Sequence, residues 1–330
     1  MKKDETLQIL LFLIRDEMSI SQISSILSLP YSKIYDYVNC LKEKGFDVRC
    51  KYYSNGNTKF YLNKALYNEQ IPKIITTNGE NVVRFLVYSD LHLGSYYESY
   101  DILKKIFAYG ERKDIHLHLN LGDLVEGNVR QDNIRIPWHE QIEQALKKYP
   151  HDDEVIVFLL LGNHDQSLLR DYGFNIETVI NKKRGDIVPI GYGSNTIEIK
   201  NDYIVLQHCL LRQSETPMGS YNYSLILRGH QHMSKVVLDA SNLVIYLPSL
   251  SRLNFNKSHF PGALDLKLRM RCGFIEYVDF DELTYINDEF YITSSTSIYM
   301  GKGKLFRDST LLKNEEDCPK ILRRKNEKYL

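Results

Sequence analysis

Val82-Val83-Arg84-Phe85-Leu86-Val87-Tyr88-Ser89-Asp90-Leu91-His92 is the stretch from which the rest of the chain can be read. A run of seven residues from Val82, rich in β-branched and aromatic side chains, suits a buried strand, and polar Asp90 and His92 follow where it ends. The pattern recurs downstream. Ile115 to Leu121 precedes Gly122-Asp123, and Glu154 to Leu161 precedes Gly162-Asn163-His164-Asp165. Ile204 to Gln207 precedes His208, and Ser224 to Leu227 precedes Gly229-His230-Gln231-His232. Helical stretches at about 96–113 and 137–149 separate the first three strands. Alternating strands and helices predict an α/β fold.

Side chains two apart at a strand end share a face, so Asp90 and His92 are expected to converge, as are His230 and His232. Carboxylate oxygens mixed with imidazole nitrogens suit Mn, Fe or Zn, whereas calcium takes oxygen ligands. A buried Asp123 among other acids would be costly without a cation. His116 and His118 alternate with Ile115, Leu117 and Leu119 and are expected on one solvated or hydrogen-bonded face.

Taken in order, D-x-H, G-D, G-N-H-D, H and G-H-x-H resemble the calcineurin-like metallophosphoesterase superfamily over about residues 82–280. The resemblance implies a four-layer α/β/β/α sandwich and two divalent metal ions, Mn first and Fe or Zn as the other candidates. Carried over position by position, Asp90, His92, Asp123 and His232 would hold one ion. Asp123, Asn163, His208 and His230 would hold the other, with Asp123 shared. Such a pair polarises a phosphate oxygen and supplies a metal-bound hydroxide near neutral pH. His164 would then stabilise the transition state or protonate the leaving group, and Glu126 would keep His164 protonated. Protein phosphatases of the superfamily carry an arginine after the second motif. Gly127 stands there in Gly122-Asp123-Leu124-Val125-Glu126-Gly127, which points away from that branch and toward repair nucleases and phosphodiesterases.

The N-terminal residues read differently. Leu7, Leu10, Leu11 and Ile14 form a helical stripe, and Ser19 or Ser21 can cap a second helix whose apolar positions are Ile23, Ile26 and Leu27. Pro30 suits the first turn of a third helix carrying Ile34, Val38 and Leu41, which ends by Gly45. Two strand-like runs, Phe46 to Tyr53 and Thr58 to Leu62, flank an Asn55-Gly56 hairpin turn. This order resembles the winged helix-turn-helix family. The resemblance implies DNA contacts from Tyr31, Ser32, Lys33, Tyr35 and Asn39 on the third helix and from Arg49, Lys51 and Lys59 on the wing. Asp36 departs from that pattern, since a carboxylate on the reading face repels phosphate. The expected organisation is a winged-helix domain over 1–66, a linker over 67–81, the metallophosphoesterase domain over 82–301 and a basic tail over 302–330.

Composition bounds the function class. The chain has 42 Lys+Arg and 42 Asp+Glu, so its net charge is zero, but residues 1–65 hold ten bases against seven acids and 302–330 hold nine against five. The middle is therefore acidic, as a cation-binding body between basic ends would be. The longest apolar run, Val155 to Leu161, is far short of the ~20 residues of a membrane span. Five scattered cysteines with no CxxC spacing fit a reducing cytoplasm. Together these features predict a cytoplasmic, DNA-directed phosphodiesterase, a nuclease or end-processing enzyme. Two alternatives stay open. One is a DNA-binding regulator whose phosphoesterase domain senses or hydrolyses a nucleotide. The other is a small-molecule phosphodiesterase whose winged helix makes a homodimer.

Overall fold

The protein is described from a computed structural model over residues 6–7, 9–10, 13–14, 17–43, 48–62, 72–76, 81–209, 224–238, 242–252, 260–300 and 306–311. Ser19 closes the short strand β1 (Met18–Ser19) and caps α1 (Ile20–Leu27). Its Oγ accepts from Gln22 N at 3.2 Å while Gln22 Oε1 accepts from Ser19 N at 3.0 Å. Such a reciprocal cap contributes about 1 kcal/mol. The Pro30 carbonyl accepts from Lys33 and Ile34 to start α2 (Tyr31–Glu43). Strands β2 (Val48–Tyr53) and β3 (Thr58–Leu62) form an antiparallel hairpin closed at Ser54–Asn57, and β1 pairs with β3. Leu10, Ile14, Ile23, Ile34, Val38, Leu41 and Phe60 make a small separate core. Of the apolar positions of α1, Ile23 is buried and Ile26 is 55% exposed. Leu11 lies outside the described residues.

Residues 67–81 do not behave only as a linker. Within them β4 (Lys73–Ile75) pairs parallel to β2 and joins the N-terminal hairpin to the larger sheet. The chain then runs through β5 (Val82–Tyr88), α3 (Tyr100–Arg112), β6 (Leu117–Asn120), α4 (Trp138–Lys148) and β7 (Ile156–Leu161). It continues through α5 (Asn163–Tyr172), α6 (Ile176–Lys183), β8 (Ile187–Tyr192), β9 (Ser194–Ile199) and β10 (Asp202–Gln207). Next come β11 (Ser224–Arg228), β12 (Lys235–Leu238), β13 (Asn242–Tyr246), β14 (Gly262–Arg271), β15 (Phe274–Ile286), β16 (Glu289–Tyr299) and β17 (Phe306–Leu311). One sheet has the order β1-β3-β2-β4-β9-β10-β11-β13-β12, and the other β17-β16-β15-β14-β5-β6-β7-β8.

Alternation along the central strands builds two cores. Val83, Phe85, Val87, Leu119 and Phe158 face the other sheet and meet Ile197, Ile204, Leu206, Leu225 and Ile245. Leu86, Tyr88, Val157 and Leu159 face the opposite way and meet Ile102, Ile106, Ile142, Leu146, Leu168 and Ile180 of α3 to α6. Helices therefore cover one sheet. The fourth layer of the expected α/β/β/α sandwich does not occur among the described residues, and residues 210–223 lie outside them. The expected tail also begins as a strand, because Phe306–Leu311 pairs antiparallel with β16; residues 312–330 lie outside the described residues.

Of the solvated or hydrogen-bonded face expected for it, His118 takes the hydrogen-bonded form, with Tyr88 OH 3.5 Å from its Nδ1. Gly110 on α3 leaves room for its ring, which is fully buried against Tyr88 and Phe107. His116 stays at the edge, bound to the Glu154 carbonyl and to Asp114.

The N-terminal module is fastened to the large domain by more than β4. Tyr52 packs edge-on against Phe158, with ring centroids 5.1 Å apart. Asn39 Nδ2 donates to the Asn181 carbonyl of α6. Tyr35 lies over Gly185, where a Cβ would stand 1.8 Å from Tyr35 Cγ. Tyr35 and Asn39, expected on a DNA-reading face, thus face the chain's own large domain; Ser32 and Lys33 remain exposed.

Two outcomes test this packing. Gly185→Ala should destabilise the protein by about 1–3 kcal/mol, as overpacking does, and should raise hydrogen exchange along α2. Tyr35→Ala in the same chain should relieve part of that cost, and unchanged exchange in Gly185→Ala would show that the contact does not hold the module. Burial holds the His118 imidazole down at about 3, against the opposing Ile115 carbonyl. The unfolded chain therefore binds the extra proton between pH 6.5 and 3, and stability falls as pH drops through that window. At pH 4 the loss from this group is about 3 kcal/mol. Denaturant titrations at pH 7 and pH 4 should show His118→Leu losing that much less stability on acidification than the parent chain.

Candidate metal centre

Five loops bring their polar residues to one end of the two sheets. Asp90 and His92 follow β5, Asp123 follows β6, and Asn163 and His164 open α5 after β7. His208 follows β10, and His230 and His232 follow β11 on the facing sheet. The two-apart spacing does not act by continuing the strands. Asp90 (φ 58°), His92 (45°), Asp123 (52°), His230 (73°) and His232 (54°) all lie in the left-handed region, beyond the last paired residue. Short polar side chains visit that region more readily than others, yet each costs on the order of 1 kcal/mol.

Main-chain bonds hold these turns. Asp90 N donates to Gly122 O at 2.9 Å and His92 N to Asp123 O at 3.0 Å. Ser249 Oγ donates to Asp90 O at 2.9 Å, and Ser251 N to the same carbonyl at 3.2 Å. Asp165 binds three amides with one carboxylate: Gly162 N at 2.8 Å, Val125 N at 3.0 Å and Leu124 N at 3.1 Å. Burial and the nearby Asp123 charge push the Asp165 carboxyl up to about 7 in spite of those donors. Gly122 has φ +102°, and a Cβ there would stand 2.4 Å from His208 Nδ1, so glycine is required for the imidazole to lie flat against the turn. Ser249 and Ser251 also follow a strand, β13, but serine is not among the ligand types of the strand-end pattern, which therefore does not single them out. Gln141 carries no strand-end signal either. It is a buried helix residue whose amide ties Gly127 N and the Gly127 and Ile136 carbonyls together.

Side-chain atoms converge inside this frame. His208 Nε2 lies 2.9 Å from Asp123 Oδ2, His92 Nε2 3.8 Å from the same oxygen, and His232 Nε2 3.1 Å from Asp90 Oδ1. His92 Nε2 and His232 Nε2 are 3.4 Å apart. Asp90, His92 and His232 form one cluster able to hold a cation, and Asp123, His208 and His230 form another. Asn163 Oδ1 is buried without a hydrogen-bond partner. An orphaned buried acceptor is the state expected of a ligand to a cation. The donor set of imidazole and carboxylate fits divalent transition metals at both clusters.

Charge balance points the same way. Burial works to raise the Asp90 and Asp123 carboxyls, but His208 and its neighbours outweigh it and hold both below the usual range. Burial works to lower His208, yet Asp123 and Asp90 carry it up to about 10. Positive charge is thus required between the two carboxylates. His164 is not drawn up in this way, because burial outweighs Asp123 and lowers it. Its Nδ1 donates to the Glu126 main-chain oxygen at 2.7 Å and its Nε2 faces Asp123 Oδ2 at 4.0 Å. Glu126 lies beside His164, as expected, but nearer still to His92. Glu126 Oε2 lies 2.9 Å from His92 Nδ1, whereas Oε1 lies 3.6 Å from His164 Nδ1.

The residues expected to contact DNA lie elsewhere, on the N-terminal module. Lys51 Nζ bonds Glu17 Oε2 at 2.5 Å and Lys59 Nζ lies 5.2 Å from the Tyr53 ring centroid. Tyr31 packs against the module's own core, and Arg49 lies on β2 of the hairpin.

Residues 83–234 match the family described as calcineurin-like phosphoesterase. No curated protein matches the chain. Among solved structures it is similar to the phosphoesterase Yfce from E. coli (14% identity over 70% of this chain and 100% of that one, TM-score 0.40). It is similar also to an archaeal phosphodiesterase (14% identity, 62% and 100% covered, TM-score 0.40). A third likeness is to the nuclease MPE from Pseudomonas putida (16% identity, 55% and 84% covered, TM-score 0.32).

If these clusters hold cations, manganese at a hundredfold excess over its Kd should stabilise the folded chain by about 2.7 kcal/mol. Thermal unfolding with and without manganese checks this. Asp123→Ala should lose the increment, and an equal increment in that variant would place the ion elsewhere.

Proposed function

We propose, from the premise that residues 83–234 form a calcineurin-like phosphoesterase domain and that the chain hydrolyses phosphate esters, that it is a phosphodiesterase working with two divalent cations. One observation carries the reading: Asp123 groups with His208 and His230 on one side and with His92 and His164 on the other, and His92 in turn groups with Asp90 and His232. Asp90, His92, Asp123 and His232 would hold one cation, and Asp123, Asn163, His208 and His230 the other. When bound, the pair would supply hydroxide at neutral pH and Lewis-acid charge for the phosphate oxygens.

The chain's own residues account for the remaining steps. Gly127 follows the second motif, so no guanidinium extends from that position to grip the extra charge of a phosphate monoester. A diester carries one negative charge and makes less demand of this kind. His164 is the residue placed to move a proton. Its Nδ1–H is committed to the Glu126 carbonyl, so Nε2 faces the centre and donates to a departing oxygen only when the ring carries a second proton, as imidazolium. Asp165, by binding amides from the second and third motifs at once, keeps His164 and Asp123 in register.

A nucleic-acid strand or a nucleotide would each present such a diester. The helix and hairpin order of the N-terminal module favours DNA. The docking of Tyr35 and Asn39 against Gly185 and Asn181 weighs against delivery by α2 into a major groove. A nuclease reading then relies on exposed Ser32 and Lys33 and on the wing.

A manganese assay over single- and double-stranded DNA, RNA, cyclic nucleotides and a bis-aryl phosphate, each beside Asp123→Ala, tests the proposal. Diester cleavage lost in the variant supports it, and activity confined to monoesters refutes it. His164→Ala should slow an alkyl diester by about 10²–10⁴-fold and an aryl diester much less, since a good leaving group needs no proton. Equal losses on both would remove His164 from proton transfer.

A further inference from the structure

Each buried histidine of the site turns one nitrogen toward the centre and the other toward the protein, and what stands behind that second nitrogen differs. Behind His208 is a neutral carbonyl, Leu121 O, 2.5 Å from Nδ1. Behind His164 is another, the main-chain oxygen of Glu126 at 2.7 Å. Behind His92 is the Glu126 carboxylate, with Oε2 at 2.9 Å. The nitrogen of a ring carries one proton, so the His164 Nδ1 proton is already used on the carbonyl. The carboxylate at 3.6 Å is left for His92. Glu126 and His92 are 0% and 1% exposed, and among the described residues neither carboxylate oxygen nor His92 Nδ1 has a hydrogen-bond partner outside this pair.

We infer that Glu126 is a positioning residue for His92, and that it makes the cation position of Asp90, His92 and His232 the tighter of the two. The inference rests on the two-cation reading above. A carboxylate behind a ligating imidazole fixes the tautomer that leaves Nε2 free, holds the ring plane and raises the basicity of the ligating nitrogen. It also adds negative charge on one side only. The position of Asn163, His208 and His230 has a neutral amide among its ligands and a neutral carbonyl behind His208. The sheet architecture explains why the asymmetry is built in. Glu126 N donates to Leu93 O at 2.9 Å, so the loop after β6 is zipped to the loop carrying His92.

Calorimetric titration of the metal-free full chain with manganese reads the effect directly. The parent chain should bind in two steps. Glu126→Gln keeps the shape and an acceptor while removing the charge, and should weaken the tighter step 10- to 100-fold with the weaker step unchanged. His208→Ala, run in parallel, should weaken the other step and so identifies it. Metal-free melting temperatures of both variants check that the fold is retained. Leaving-group discrimination by His164 should survive in Glu126→Gln, which separates positioning of His92 from any action through His164. Two intact steps of parental affinity in Glu126→Gln, or an equal loss in both, would overturn the inference and leave the two-cation reading standing. A parent chain that takes up fewer than two ions overturns both.

Discussion

Asp123 is the constraint on which the rest of the site depends. It is buried, it lies within reach of His92, His164 and His208, and its main chain turns left-handed between Gly122 and Leu124. A carboxylate in that position must be balanced, because an unpaired buried charge costs several kcal/mol. Without a cation the balance falls on His208, held as imidazolium at 2.9 Å. With cations on either side, as proposed, the same carboxylate would be shared by both. Residues of both sheets meet around this one group: Asp90, Asp123 and Asn163 come from one, and His208, His230 and His232 from the other.

Holding such a group in place requires a frame stiffer than loops usually supply. Five candidate ligands adopt positive φ, a cluster of backbone strain that persists only where surrounding structure over-determines it. Asp165, with three amide donors, and Ser249, Ser251 and Gln141 supply that surrounding structure. Glu126 extends the same principle from the main chain to a ring nitrogen. The large hydrophobic core between the sheets lies directly beneath the strand ends and fixes their spacing.

Most of the catalytic core could be read from residues because strand ends repeat one pattern: an apolar run, then a ligand type. The strands beginning at Val82, Leu117 and Ile156 and the helices α3 and α4 fall where periodicity placed them. What could not be read depends on contacts with no local signal. Lys73–Ile75 is three residues long and carries no period, so its role in joining two sheets appears only when β2 and β9 are seen on either side of it. Tyr35 looks like a reading-face residue in a helix taken alone, and Gly185, which it packs on, is 150 positions away in an ordinary-looking loop. His118 alternates like an edge residue, yet α3 covers it at Gly110. Glu126 has the right spacing to reach His164, and the choice is made by a carbonyl that satisfies His164 first.

The central claim, that Asp123 is shared by a pair of cations, is tested most directly by X-ray absorption at the manganese edge on the loaded full-length chain. The account predicts a metal–metal vector of roughly 3.5–4 Å together with imidazole scattering, and its disappearance in Asp123→Ala. A spectrum with nitrogen and oxygen neighbours but no metal–metal vector in the parent chain would contradict it.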